Sequence, residues 1–244
     1  MPSIKVTVLG CGDMAHSEQT TTAFLIEPMA SSRAIMLFDC GYNVFPKLLK
    51  DYKDKIEFIE DVFISHLHAD HVGSLGALIY YRFFMYGKKT RVLTHTNVMP
   101  HLDTLLKLMV PNVVNMEDIN LRSYNQQCYS LARPAEAFSV DHMGVPACGM
   151  AYEIQLNQYV LFTGDADYLN YQHYLVRQAR AIFHDCTFNT IPPGVHACVI
   201  DILKYPEEIK KKIILVHHGI TENKAHVGLR IAHEDDVFEF LKER

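Results

Sequence analysis

Between Ser65 and His71 the chain reads S-H-L-H-A-D-H, so three imidazoles and a carboxylate fall within a single short segment. Imidazole nitrogen and carboxylate oxygen are the ordinary ligands of zinc. In an extended stretch His66 and His68 are two residues apart and project to the same side, which makes them a chelating pair. Asp70 and His71 come from the turn that follows and can face a second ion. Any one of these histidines taken alone could be a surface residue on a polar turn. Packed this closely, however, imidazoles would repel one another on protonation, and the group reads as a ligand set.

Ligands need a rigid support, and the sequence around the cluster supplies one. Val62 to Ser65 (VFIS) is a buried-strand run that ends where the histidines begin, so the ligands sit at a strand's carboxyl end. Upstream, IKVTVLG, TTAFLIEP and AIMLFDCG each read as a short strand, and a helix starts near Val44 to Phe45. Ser74 to Tyr86 is nearly continuously apolar and fits a buried or interface helix, and RVLTHT follows as another strand.

The second half repeats this rhythm. AEAFSVDHM is followed by a hairpin, MAYEIQLNQYVLFTGDAD, that turns at Leu156 to Gln158. A helix through Tyr171 to Gln178, the strand AIFHD, a helix near Val195 to Tyr205 and the strand KIILVHH complete it. No repeat or low-complexity linker divides the chain, so one domain over residues 1–244 is expected.

Composition narrows the partners. The 244 residues are 49% hydrophobic and 21% charged with a net charge of -5, ordinary values for a globular protein. That balance argues against an extended basic surface for long nucleic acid, although a cationic metal site still attracts phosphate. No apolar run reaches membrane-spanning length, and Met1 to Gly10 reads as a short strand, so no export signal is expected. The six cysteines form no C-x-x-C pair, so reduced thiols and a cytoplasmic location are expected.

The H-x-H-x-D-H signature, the upstream F-D-C-G at Phe38 to Gly41 and T-G-D at Thr163 to Asp165 resemble the metallo-β-lactamase superfamily. That resemblance implies an α/β fold, an αββα sandwich of two mixed β-sheets flanked by helices, with the active site at one edge. It also implies a two-metal centre of two Zn2+ per chain, with Mn2+ or Fe2+ able to occupy the same ligands. His66, His68 and His142 would hold one ion. Asp70, His71 and a late histidine would hold the other, with Asp165 as the bridge and Asp167 as the fallback. The late ligand is His217 or His218, and the family pattern of an apolar strand followed directly by histidine favours His217. Asp39 is expected beneath the metal loop, orienting its histidines or backbone. His16, His95, His101, His173, His226 and His233 have no such clustering and read as surface or packing residues, with His226 closest in sequence to the last strand.

Within the superfamily, F-H-D-C-T-F at Phe183 to Phe188 and G-V-H at Gly194 to His196 are similar to the ribonuclease Z-like phosphodiesterases, including those that phages use against cyclic-nucleotide defence signals. This likeness implies a phosphodiesterase in which a metal-bridging hydroxide attacks. His196 would protonate the leaving oxygen, Asp185 would hold its tautomer, and Asp70 would act beside them. The family usually has glutamate where this chain has Asp185, which shortens the side chain's reach. Thr187 is a candidate phosphate contact.

A tRNA-maturing member would carry an exosite arm between the counterparts of His142 and Asp165. Here the hairpin consumes that interval. A small phosphodiester, most readily a cyclic nucleotide, is therefore the expected substrate. An RNA endonuclease and a lactone, thioester or β-lactam hydrolase are the alternatives, and a non-catalytic metal-stabilised module is the reading outside the enzymes. The aromatic crowding of Tyr80, Tyr81, Phe83, Phe84 and Tyr86 marks the helix Leu75 to Tyr86 as a candidate homodimer contact.

Overall fold

The computed structural model describes residues 2–29, 33–110, 119–124, 128–130, 133–189, 195–219 and 228–241. His226 and Gly194 lie outside the described residues. Strands β1 (Pro2–Gly10), β2 (Ala23–Pro28), β3 (Ile35–Phe38), β4 (Ile59–Phe63), β5 (Thr90–His95) and β6 (Ile119–Tyr124) come from the first half of the chain. The second half supplies β7 (Cys128–Ser130), β8 (Arg133–Val140), β9 (Ala147–Gln155), β10 (Gln158–Phe162), β11 (Ala179–Asp185), β12 (Ile213–Val216), β13 (Arg230–Ile231) and β14 (Val237–Leu241).

These strands form two seven-stranded sheets, ordered β14-β1-β2-β3-β4-β5-β6 and β13-β12-β11-β10-β9-β8-β7. Each sheet is antiparallel on one side and parallel on the other, the change falling after β3 in the first and after β10 in the second. Both sheets are mixed, as expected. The pairing of β14 with β1 returns the end of the chain to the first sheet, a long-range contact that periodicity does not show.

The sheets face each other across aromatic side chains. Phe24, Phe38 and Phe63 project from the first sheet and Phe162 and Phe183 from the second, all at 1% exposure or less. Phe24 lies 5.0 Å from Phe162 and 4.9 Å from Phe183 between ring centroids, and Phe38 lies 5.3 Å from Phe162. Alternation explains this: along β10, Val160 and Phe162 turn inward to this cluster, while Tyr159 and Leu161 join a second cluster under the outer helices. Burial of large aromatic area between the sheets sets their spacing and keeps the strand ends in register.

The helices Val44–Asp51, Leu75–Tyr86 and Met99–Met109 occur in the connections of the first sheet's parallel strands. The third of these was not legible in the sequence pattern. In the second half the helices are shorter than the pattern predicts. The helix expected over Tyr171 to Gln178 spans only Tyr174–Arg177, because Asn170 Oδ1 accepts from Gln172 N–H and His173 Nδ1 caps Leu175 N–H, making the first residues a turn. The helix expected near Val195 to Tyr205 is only Val199–Ile202. Ala197 is committed elsewhere, its N–H donating to Ala166 O at 3.1 Å and its carbonyl accepting from Thr187 N–H at 2.8 Å.

Helix Leu75–Tyr86 divides its apolar residues. Leu75, Leu78 and Ile79 are buried, and Arg82 is buried with them because its guanidinium donates to the carbonyls of Ile56 and Lys89 and to Thr90 Oγ1. Tyr80, Tyr81, Phe83 and Tyr86 are partly buried against the core, leaving Phe84 and Met85 as the exposed apolar residues. Among the described residues no helix is long and apolar enough to cross a membrane.

Candidate metal centre

The candidate ligands all follow strand carboxyl ends at one edge of the sandwich. His66 and His68 come after β4, His142 after β8, Asp165 after β10 and His217 after β12, while Asp185 ends β11. Asp70 and His71 sit in the short helix Ala69–Val72, which His68 opens in an extended conformation. Parallel pairing makes this convergence possible, since β10, β11 and β12 run the same way and β8 shares their direction through the antiparallel β9.

Two donor groups result. In the first, His68 Nδ1 lies 3.1 Å from His66 Nε2 and 3.2 Å from His142 Nε2, and Asp165 Oδ2 is 3.7 Å from both Nε2 atoms. In the second, His71 Nε2 and His217 Nε2 are 3.3 Å apart and lie 3.4 and 3.2 Å from Asp70 Oδ2. Asp165 Oδ1 reaches the same two nitrogens at 3.1 and 3.3 Å. One carboxylate thus turns one oxygen to each group.

This arrangement suits cations. His66 Nε2 and His142 Nε2 both lie within hydrogen-bond distance of His68 Nδ1, which cannot satisfy both, and among the described residues the buried Asp70 Oδ1 has no hydrogen-bond partner. A tetrahedral ion with bonds near 2.0–2.1 Å separates its ligand atoms by about 3.3 Å, close to the spacings in both groups. Imidazole-rich donors with few carboxylates fit zinc.

Asp39 organises this edge from below, as expected. Its carboxylate accepts from Ser65 N–H, Ser65 Oγ–H and His71 Nδ1–H, each at 2.7 Å. The last bond leaves His71 Nε2 to face the second group. Ser65 Oγ also lies 3.0 Å from His66 Nδ1, a supporting role missed in the sequence, where Ser65 reads only as the end of a strand. His142 Nδ1 donates to the carbonyl of Val195 at 2.7 Å. Asp39 and His217 hold left-handed φ values of 59° and 60°, which turn the chain sharply as it leaves β3 and β12. Gly41 is required, since a Cβ there would stand 1.9 Å from the carbonyl oxygen of Asp70.

Electrostatics follow from burial and charge. Burial raises Asp165, but His217, His71 and His66 outweigh it and hold its carboxyl well below the usual range. Burial and then the neighbouring His71 push His66 well below the ordinary histidine value, leaving its lone pair available. Burial works against protonation of His71 and His217, yet Asp165 and the other carboxylates raise both.

His196 stands beside the two groups. Its Nδ1 donates to Asp185 Oδ2 at 2.8 Å, so aspartate at this position does reach the histidine. The ring lies 4.9 Å from His217 and 5.3 Å from His142. Burial lowers His196, but Asp185 and Asp165 raise it above the ordinary histidine value. Asp185 also accepts from Ala166 N–H at 3.0 Å, which anchors it next to Asp165.

The structure brings His66, His68, Asp70, His71, His142, Asp165, His217, Asp185 and His196 together. His218 is turned away, with its Nε2 3.4 Å from Ala232 O. Asp167 is fixed through its backbone to Asp141 O and takes no place in either group. Of the unclustered histidines, His16 is buried and His173 is a helix cap.

His184, preceding Asp185, is fully buried and its value is lowered to about 4 by desolvation. It stays neutral in the fold but protonates near 6.5 when unfolded, so stability falls as pH drops below about 6.5 and the loss is complete near 4. At pH 5 this costs about 2 kcal/mol. Urea unfolding at pH 7 and pH 5 is expected to show a smaller pH difference for His184→Gln than for the wild type.

A family model described as "Anti-Pycsar protein Apyc1" matches residues 4–243. The Anti-Pycsar protein Apyc1 of Bacillus phage BSP38 is 31% identical over 206 residues, covering 75% of this chain and 77% of the relative. Among solved structures, the metallo-β-lactamase fold protein YhfI from Bacillus subtilis superposes with a TM-score of 0.80 at 18% identity, covering 98% of this chain and 100% of YhfI. Human tRNase Z, short form, gives a TM-score of 0.69 at 17% identity, covering 96% and 98%. The sandwich is a metallo-β-lactamase fold, and the chain belongs to the Anti-Pycsar protein Apyc1 family.

Proposed function

We propose that this chain is a two-metal phosphodiesterase that hydrolyses a small cyclic nucleotide, with zinc as the metal. The observation that carries the reading is the Asp185–His196 pair set beside the two donor groups that share Asp165. His66, His68 and His142 would hold one ion and Asp70, His71 and His217 the other, with Asp165 between them. When bound, two such ions supply an activated water and Lewis-acid stabilisation of the phosphoryl oxygens.

The protein's own groups do the rest. Asp185 holds the proton on His196 Nδ1, so a proton on Nε2 is available for the leaving oxygen. Raised by Asp185, His196 retains that proton to higher pH than an ordinary histidine. Asp70 Oδ1, buried and without a hydrogen-bond partner among the described residues, would orient the attacking water. His68 is only partly buried and forms the open side of the first group.

Three features favour a small phosphodiester over the alternatives. Ester or lactam hydrolysis with a good leaving group has little use for the His196–Asp185 acid. Between His142 and Asp165 the chain forms β9 and β10, whose ends Gln155 and Gln158 pair directly, so this interval holds no arm for gripping an RNA. A net charge of -5 also disfavours a long polyanion. Cyclic nucleotides form inside cells, and the thiols of Cys40, Cys148 and Cys198, which form no disulfide, accord with a cytoplasmic site of action. We take residues 1–244 as one domain acting as a homodimer, whose contact uses Phe84 and Met85, 58% and 61% exposed on the helix Leu75–Tyr86.

Metal analysis is expected to find close to two Zn2+ per chain, and Asp165→Ala to lose both the metal and hydrolysis. A single tightly held ion with full activity would overturn the two-metal reading. His196→Ala should keep its metals but lose about 10²- to 10⁴-fold in rate on a 3′,5′-cyclic nucleotide, and less on an aryl phosphodiester whose leaving group needs no proton. Equal losses on both substrates would remove the acid role. Light scattering at micromolar concentration should give a dimer that Phe84→Glu disrupts, and a wild-type monomer would exclude this contact.

A further inference from the structure

Tyr42 stands at the flank of the second donor group. Its main-chain N–H donates to Ala69 O at 3.1 Å, in the turn that carries Asp70 and His71, and its hydroxyl donates to the carbonyl of Met14 at 2.9 Å. Met14 belongs to the connection between β1 and β2. The start of that connection is tied to the opposite end of the same group, where His218 N–H donates to Cys11 O at 3.1 Å and Gly12 pairs with His218. The connection therefore runs along one side of the second group, from the neighbour of His217 to the neighbour of Asp70.

Asn43 makes this side rigid. Its Oδ1 accepts from Thr21 N–H at 2.9 Å and from Thr21 Oγ–H at 3.0 Å, and its Nδ2 donates to Gln19 O at 3.2 Å. Apolar surface is nevertheless left in water here, with Tyr42 42% exposed and Met14 65% exposed. With its hydroxyl proton committed to Met14 and its backbone held, Tyr42 has chiefly its ring to offer a ligand. An exposed aromatic ring, tied to a segment that leaves Met14 exposed as well, offers apolar surface suited to a flat heterocycle.

We infer that Tyr42, with Met14 beside it, is the platform on which the base of a cyclic nucleotide stacks, making it the binding residue that favours a nucleotide over a simple phosphodiester. This rests on the phosphodiesterase reading above. Every base has a π-face, so the platform selects for the presence of a base and tolerates its identity. Stacking of one base on one aromatic side chain corresponds to about a 5- to 100-fold change in affinity.

The test compares a 3′,5′-cyclic nucleotide with the base-less ribose 3′,5′-cyclic phosphate as substrates for the zinc-loaded full chain. Wild type is expected to show the lower KM for the nucleotide. Tyr42→Ala should raise that KM about 5- to 100-fold with kcat little changed, leave the base-less compound unaffected, and retain wild-type metal content and melting temperature. Tyr42→Phe keeps the ring and most of the preference. Equilibrium dialysis of the nucleoside monophosphate product should weaken in Tyr42→Ala by a similar factor. Tyr42→Leu, which fills the space without a ring, is expected to behave as the alanine variant does and decides the question if that variant does not fold. Equal KM values for the two compounds in the wild type, or equal effects of Tyr42→Ala on both, would overturn the inference while leaving the phosphodiesterase reading intact. Turnover of neither compound by the wild type would remove that reading itself, and this inference with it.

Discussion

A single buried carboxylate, Asp165, faces two groups of imidazoles, and the geometry of the whole edge is consistent with its sharing between them. A lone carboxylate at 3% exposure is costly to bury. Here the cost is offset because His71, His66, His142 and His217 all lie within 3.1 to 3.7 Å of its oxygens. Bound cations would complete the compensation. The three imidazoles of the first group, facing one another with few protons to share, make the same electrostatic case from the other side.

Gathering these segments around one carboxylate requires that strands from both sheets end together. The inter-sheet phenylalanines set the spacing of the sheets, and the parallel halves direct their carboxyl ends to one edge. Asp39 then couples two neighbouring strand ends of the first sheet by bonding both the backbone and side chain of Ser65 and the ring of His71. Asp185 plays a comparable part in the second sheet, bonding His196 and the backbone beside Asp165. Each sheet thus presents clustered histidines through a buried aspartate, which fixes ring orientation more firmly than packing alone.

Family membership and geometry constrain function at different levels. The fold is shared with proteins as different as YhfI and a human tRNase Z, so it does not choose among substrates. The proposed choice rests on what surrounds the donor groups: the His196–Asp185 pair, an interval between His142 and Asp165 taken up by a tight hairpin, and the exposed ring of Tyr42.

The sequence by itself determined the donor chemistry, because S-H-L-H-A-D-H is a local pattern whose spacing in an extended segment already places His66 and His68 on one side. It also determined most strands, since alternation and apolar runs report burial directly, and family likeness then supplied His142, Asp165 and the His196–Asp185 pair. Tertiary structure decided what depends on contacts between distant segments. His217 and His218 are neighbours with equal chemistry, and only the left-handed turn after β12 sends the first into the cluster and the second towards Ala232. The helix expected from Val195 was cut short because Ala197 is bonded to Ala166 and Thr187, partners that no local window contains. The roles of Ser65 and Val195, the return of β14 to β1 and the tether from Tyr42 to Met14 were hidden for the same reason. Each is a hydrogen bond whose partner is chosen by the packing of the two sheets, whereas the sequence pattern encodes only which side of its own strand or helix a residue will bury.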